Sequence, residues 1–265
     1  MSAIIVESLE AGIVRLVMNR PERMNAIDAG WIDDFHAALD EIEGDDDVRV
    51  VILTGAGKAF CAGADLKTDA SILSGPDAIK TGYAGMKRLG RLILRLTLLA
   101  QPVIAAVNGP AMGAGLALAL AADIRVISSE ARFGVANVRI GMGAGDAGIS
   151  WFFPRLIGLG RSMELMLTGR TFDADEAFRL GLATRQVSPD DLGESTLEIA
   201  RAIAANPAFG VMMSKEVILA NLGASDLGMA LAIENRTQIL CNLTGDMAEA
   251  ARNFRARRQV RHDDS

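Results

Sequence analysis

The sequence predicts an α/β fold, with strands paired largely in parallel over residues 1–190 and an all-helical region over residues 191–265. Three observations carry this expectation. Short apolar runs of strand length ("VRVVILTG", "QPVIAAVNG" and "IRVIS") alternate with longer stretches at helical spacing. After about residue 150 the strand pattern stops and only helical periodicity remains. Half of the 265 residues are hydrophobic but only 5% are aromatic, so the core is built from Ala, Val, Leu, Ile and Met. A chain of this length buries roughly 70–75% of its unfolded surface and needs no staples.

The elements follow in order. "AIIVES" and "GIVRLVMN" flank "LEA" and predict a hairpin. "AIDAGWIDDFHAALDEIEGD" places Ile27, Trp31, Phe35, Leu39 and Ile42 at the spacing of one helix face. "VRVVILTG" is a buried strand ending in glycine, followed by a Gly/Ala loop and a long helical region over roughly 76–99. "QPVIAAVNG" is a second buried strand. "GAGLALALAAD" predicts a helix packed so closely that only small residues fit, and "IRVIS" is a third strand. "VANVRI" (135–140) is strand-like, while "SWFFPRLIG" and "GRSMELMLTG" are helical. In "DADEAFRLG", Asp173 and Glu176 have capping-box spacing and Gly181 suits a helix end. Residues 191–205, 210–222, 226–241 and 245–258 predict further helices.

Several function classes fall away. The net charge is −6 and no basic domain is present, which argues against a nucleic-acid partner. Cys61 and Cys241 cannot build a disulfide framework and predict thiols in a reducing compartment. "MSAIIVESLE" has no basic, apolar leader, and "AGLALALAA" is too short to span a bilayer, so a soluble, cytoplasmic protein is expected. "GAGDAG" (143–148) matches G-x-G-x-x-G but lacks the following strand that would carry the ribose-binding acid. "GAGKAF" (55–60) lacks the spacing and hydroxyl of a phosphate loop. The two histidines, His36 and His262, sit on a helix surface and near the end of the sequence, away from any nucleophile. No His/Cys/Asp group has zinc-ligand spacing, and no metal is expected.

What remains is a pair of small-residue segments, "CAGADL" (61–66) and "GPAMGAGLA" (109–117), each directly after a buried strand. Small residues let a ligand approach the backbone, and a helix opening there offers free N–H groups. One N–H from each segment, converging on a carbonyl oxygen, would stabilise an enolate or tetrahedral intermediate by several kcal/mol. Tight helix–sheet packing explains the same residues without any ligand.

The motifs "NRPERMNAID", "VVILTGAGKAFCAGADLK", "QPVIAAVNGPAMGAGLALALAADIRV", "ARFG", "PRLIGLGRSMELMLTGR" and "DADEAFRLGLATRQV" occur in this order. Together they resemble the enoyl-CoA hydratase/isomerase, or crotonase, family over residues 13–190. The resemblance implies a crotonase-like ββα spiral core and a C-terminal helical trimerisation region. It implies an acyl-CoA thioester substrate, no separate cofactor, and assembly as a homotrimer or a dimer of trimers. It assigns the two oxyanion N–H groups to Ala64 and Ala114. It places CoA along Arg23, Met24, Ala62, Asp65 and Leu66, with Phe254 reaching CoA, often on an adjoining subunit. For the neighbouring Arg252, Arg255, Arg257 and Arg258, a solvated helix end is an equal alternative.

The sequence also departs from the family. Its hydratases use two glutamates, at positions that here hold Ala117 and Asn137. Asn137 can hold a water but cannot take a proton at neutral pH. The remaining carboxylate near the expected acyl pocket is Asp146, within "GMGAGDAG". Some branches of the family carry an aspartate in this glycine-rich loop. Asp146 then serves as acid/base; alternatively its side chain caps the helix that begins near Ser150 or forms an Asx-type turn. One carboxylate suits a double-bond shift better than hydration, which needs a water activated and a proton delivered, although one acid with a water held by Asn137 could still hydrate. Dehalogenation also requires a histidine, and neither His36 nor His262 is placed for it. An acyl-CoA-binding member without hydratase activity is the alternative.

Overall fold

The computed structural model describes residues 2–65 and 77–245. β1 (Ile4–Glu10) and β2 (Ile13–Met18) form the expected antiparallel hairpin. Gly12 turns it at φ +74°, where a Cβ would also lie 2.5 Å from the Arg49 side chain. β2 runs parallel to β3 (Val50–Gly55), β3 to β4 (Val103–Val107), β4 to β6 (Ile124–Ser128) and β6 to β9 (Arg185–Val187). The result is a six-stranded sheet in the order β1-β2-β3-β4-β6-β9. β3 and β4 are apolar almost throughout because both of their faces are covered. A second sheet joins β5 (Ala111–Met112), β7 (Arg132–Gly134) and β8 (Thr171–Asp173) in the order β5-β7-β8.

Helix α1 (Ala29–Glu43) begins where the Asp28 carboxylate accepts the Trp31 N–H at 2.9 Å. It buries Trp31, Ile32, Phe35, Ala38, Leu39 and Ile42, the face read from the spacing. α2 (Ala78–Leu98) turns Leu89, Leu92, Ile93 and Leu96 inward. α3 (Ala114–Ala121) is buried at every residue, which explains its Gly/Ala/Leu composition. At its far end, buried Arg125 donates to the carbonyls of Ala122 and Leu182, each at 2.6 Å.

α4 (Ile149–Ile157), α5 (Leu159–Thr168) and α6 (Ala174–Arg179) follow, and Asp173 caps α6 by accepting the Glu176 N–H at 2.9 Å. The Glu176 side chain does not complete a capping box; it pairs with Arg170. Two expectations are corrected. "VANVRI" forms a 3-10 turn (Ala136–Ile140), not a strand, and strands continue past residue 150 as β8 and β9. Three-residue strands are too short to register as alternation.

The chain divides into two compact units, Met1–Ala202 and Ile203–Ser265. α7 (Leu192–Ala204) leads out of the first. In the second, α8 (Ala208–Asn221) and α9 (Leu227–Leu243) pack on each other. The helix expected over 245–258 lies outside the described residues. Among the described residues, no helix is long and apolar enough to cross a membrane.

Candidate active site

The site residues gather where the chain leaves the carboxyl ends of β3 and β4, the usual ligand side of a parallel sheet. The two loops that follow run side by side. Cys61 N–H donates to Pro110 O and Met112 N–H to Cys61 O, both at 3.0 Å. Glycines make this approach possible. A Cβ on Gly115 would stand 2.1 Å from Cys61 O, and one on Gly63, at φ +89°, 2.7 Å from Met112 O and 3.6 Å from Ala114 N. Ala64 and Ala114 therefore flank the junction of the two loops.

Their backbone groups are left over by the local structure. Ile27 N–H donates to Gly63 O and Asp65 N–H to Ile27 O, both at 2.8 Å, which passes over Ala64. Ala114 is the first residue of α3, behind Gly113 at φ +48°, which has no side chain to cap the helix. Neither Ala64 N–H nor Ala114 N–H has a hydrogen-bond acceptor among the described residues. Ala117, one turn into α3, is fully buried.

Asn137 and Asp146 reach the same corner from the other side. β7 is tied to it by Gly113 N–H donating to Gly134 O at 2.9 Å. The 3-10 turn then brings Asn137 Oδ1 to 3.7 Å from the place a Gly113 Cβ would occupy. Asn137 Nδ2 donates to Asp146 Oδ2 at 3.2 Å. Both residues are half-buried. The loop presenting Asp146 passes through Ala147 at φ +47° and Gly148 at φ +85°. Alanine in the left-handed region costs about 1 kcal/mol or more, and such strain gathers at functional sites. α4 has no side-chain cap, so Asp146 is not its cap residue, and its carboxylate makes no turn with its own backbone.

The residues assigned to CoA form a neighbouring group. Ala62 N–H donates to Met24 O at 3.0 Å, which fixes the Arg20–Asn25 turn against the 61–65 loop. Arg23, half-exposed, donates to buried Asp65 at 2.9 Å, and Arg20 lies 3.7 Å from the same oxygen. Asp65 is thereby engaged by two guanidinium groups. Arg20 also donates to Asp28 at 2.6 Å. Burial raises the Asp28 carboxyl, but the Trp31 N–H and Arg20 outweigh it and hold the group below its ordinary range. Leu66, Phe254, Arg252, Arg255, Arg257, Arg258 and His262 lie outside the described residues.

Asn25 is a residue that the sequence did not single out, whereas Cys61 is a free, buried thiol as expected. Asn25, wholly buried at φ +57°, donates through Nδ2 to the carbonyls of Ala56, Ala59 and Phe60 and accepts the Arg20 N–H. An asparagine ending a turn tolerates positive φ, and that was the available signal. Cys61 donates its thiol to Asn25 O at 3.1 Å. Burial pushes this thiol up to about 12, only partly offset by the Gly63 N–H, so it is inert as a nucleophile.

A hairpin-edged parallel sheet, a small second sheet and a helix entered through glycine at the strand ends define an α/β protein of the crotonase type. The chain belongs to the enoyl-CoA hydratase/isomerase family, which it matches over residues 8–265. It is 41% identical over 252 residues to a probable enoyl-CoA hydratase of Mycobacterium bovis, covering 94% of this chain and 88% of that one. It is 36% identical over 262 residues to the 1,2-epoxyphenylacetyl-CoA isomerase of Escherichia coli, covering 97% of each. The crystal structure of an enoyl-CoA hydratase from Bacillus anthracis aligns with a TM-score of 0.90 at 34% identity, covering 96% of both chains.

Proposed function

We propose that this chain is an enoyl-CoA hydratase/isomerase-type enzyme that shifts a double bond in an acyl-CoA thioester through an oxyanion-stabilised enolate. The observation that carries the reading is the Asp146–Asn137 pair beside Gly113, next to two N–H groups without acceptors among the described residues. Asp146 removes a proton from the carbon next to the thioester carbonyl. The electron pair of that C–H bond moves to the carbonyl oxygen, where Ala64 and Ala114 N–H groups stabilise the charge by several kcal/mol. The same carboxyl returns the proton two carbons along the chain, and the double bond moves into conjugation. Arg23, Met24, Ala62 and Asp65 hold CoA, with Leu66 and Phe254 completing the contact. CoA is part of the substrate and no separate cofactor is required. The enzyme works in the cytoplasm as a homotrimer or a dimer of trimers.

Ala117 and Asn137 stand where hydratases of the family carry glutamates, so the two-glutamate route is closed. The same two residues favour the second reading, an acyl-CoA-binding protein without turnover. The test is product analysis with short and medium 2-enoyl- and 3-enoyl-CoA thioesters, for wild type and Asp146→Asn. Wild type should isomerise the 3-enoyl thioester, and the variant should fall about a hundredfold or more, as for loss of a general acid–base. Binding without conversion of any thioester would favour the second reading.

A further inference from the structure

The Asn137 amide can hold a water or a carboxylate oxygen. Resting on the reading of Asp146 as acid/base, we infer that Asn137 is a positioning residue whose amide holds one oxygen of Asp146 and leaves the other as the proton-transfer atom. The amide orientation follows from chemistry. Only Nδ2–H can face a carboxylate oxygen at 3.2 Å, because the amide oxygen there would repel it. Oδ1 is thereby turned toward Gly113.

Asp146 needs such an anchor. It stands in a loop with glycines at 141, 143, 145 and 148, and a Cβ on Gly141 or Gly143 would meet nothing within 4 Å. Asn137 is its hydrogen-bonding side chain among the described residues. Asn137 stands on firmer ground, in a turn three residues after Gly134, whose carbonyl accepts the Gly113 N–H. The frame that sets Gly113 and Ala114 therefore also sets the carboxylate, which is what a proton transfer sensitive to small displacements requires. An amide suits this task because it donates to a carboxylate oxygen, whereas a second carboxylate in its place has no proton to donate at neutral pH.

The test is a double-mutant cycle on isomerisation of a 3-enoyl-CoA, using the full chain. Asn137→Ala should lower kcat about tenfold with KM unchanged, the size of losing one hydrogen bond to a charged group. Combined with Asp146→Asn it should cost nothing further, because Asn137 then has nothing to hold. Asn137→Leu, nearly isosteric but unable to donate, should move the acid limb of the kcat profile toward higher pH, because the hydrogen bond that favours the charged carboxylate is gone. A purely structural role would leave that limb in place. Additive losses, an unmoved acid limb or a fully active Asn137→Ala would overturn the proposal while leaving Asp146 as acid/base. A fully active Asp146→Asn would remove both. If Asp146→Asn has no measurable turnover, the shift of the acid limb decides.

Discussion

At the scale of single residues, the corner depends on what is missing from Gly63, Gly113 and Gly115. The 2.1 Å between a Gly115 Cβ and Cys61 O leaves no room for alanine, so α3 can meet the 61–65 loop only here as glycine. Ala114 permits a clean test of the oxyanion role. It is the first residue of α3, where proline fits the helix and the N–H has no intrahelical acceptor. Ala114→Pro should therefore keep the melting temperature within a few degrees while lowering kcat about a hundred- to a thousandfold. Retained turnover would show that this N–H does not stabilise the transition state. The sequence pointed to these alanines because two small-residue segments follow buried strands and the family resemblance picks out one alanine in each. It did not reveal the partner of Asp146, because a bond between residues nine apart in a 3-10 turn and a glycine loop leaves no periodicity to read.

At the scale of elements, α3 is held at both ends by different means. Its N-terminus meets the neighbouring loop through glycine, and its C-terminus meets the charge of Arg125. Burial lowers this guanidinium to about 10, partly offset by Asp123, so it stays charged at neutral pH and shares its protons among three carbonyls. Arg125→Leu would leave the Ala122 and Leu182 carbonyls without this donor. It should cost roughly 2–4 kcal/mol, read as a lower midpoint in urea with an unchanged slope. An unchanged midpoint would mean that water satisfies those carbonyls equally well. Long elements were legible from sequence for the same reason that they are stable: each buries a stripe. Phe35 and Leu39 are fully buried where the helical spacing put them. The small sheet β5-β7-β8 was not, since two- and three-residue strands take their register from their neighbours. "VANVRI" alternated like a strand, yet it bends into the turn that carries Asn137.

At the scale of the whole molecule, the second unit has apolar surface that its described helices do not cover. Ile218 on α8 and Leu222 at its C-cap lie one turn apart at 64% and 60% exposure; Ile239 and Leu243 lie one turn apart on α9 at 62% and 78%. Single exposed leucines are ordinary, but paired rows on adjacent helices are a feature of interaction surfaces. The assembly proposed above would supply the cover in the form of other copies of the chain. Sedimentation equilibrium should then give about three or six times the 28.0 kDa chain mass. Ile218→Asp with Leu222→Asp should shift the mass toward one chain while circular dichroism keeps its helical signal. Charges on two buried contacts cost more than a typical trimer interface can spare, whereas on a solvated helix face they cost almost nothing. A wild-type monomer would sink the assembly. If an adjoining copy completes the CoA site through Phe254, specific activity should also fall on dilution over the same concentrations at which the trimer dissociates. Activity that stays constant through dissociation would place the whole CoA site within one chain.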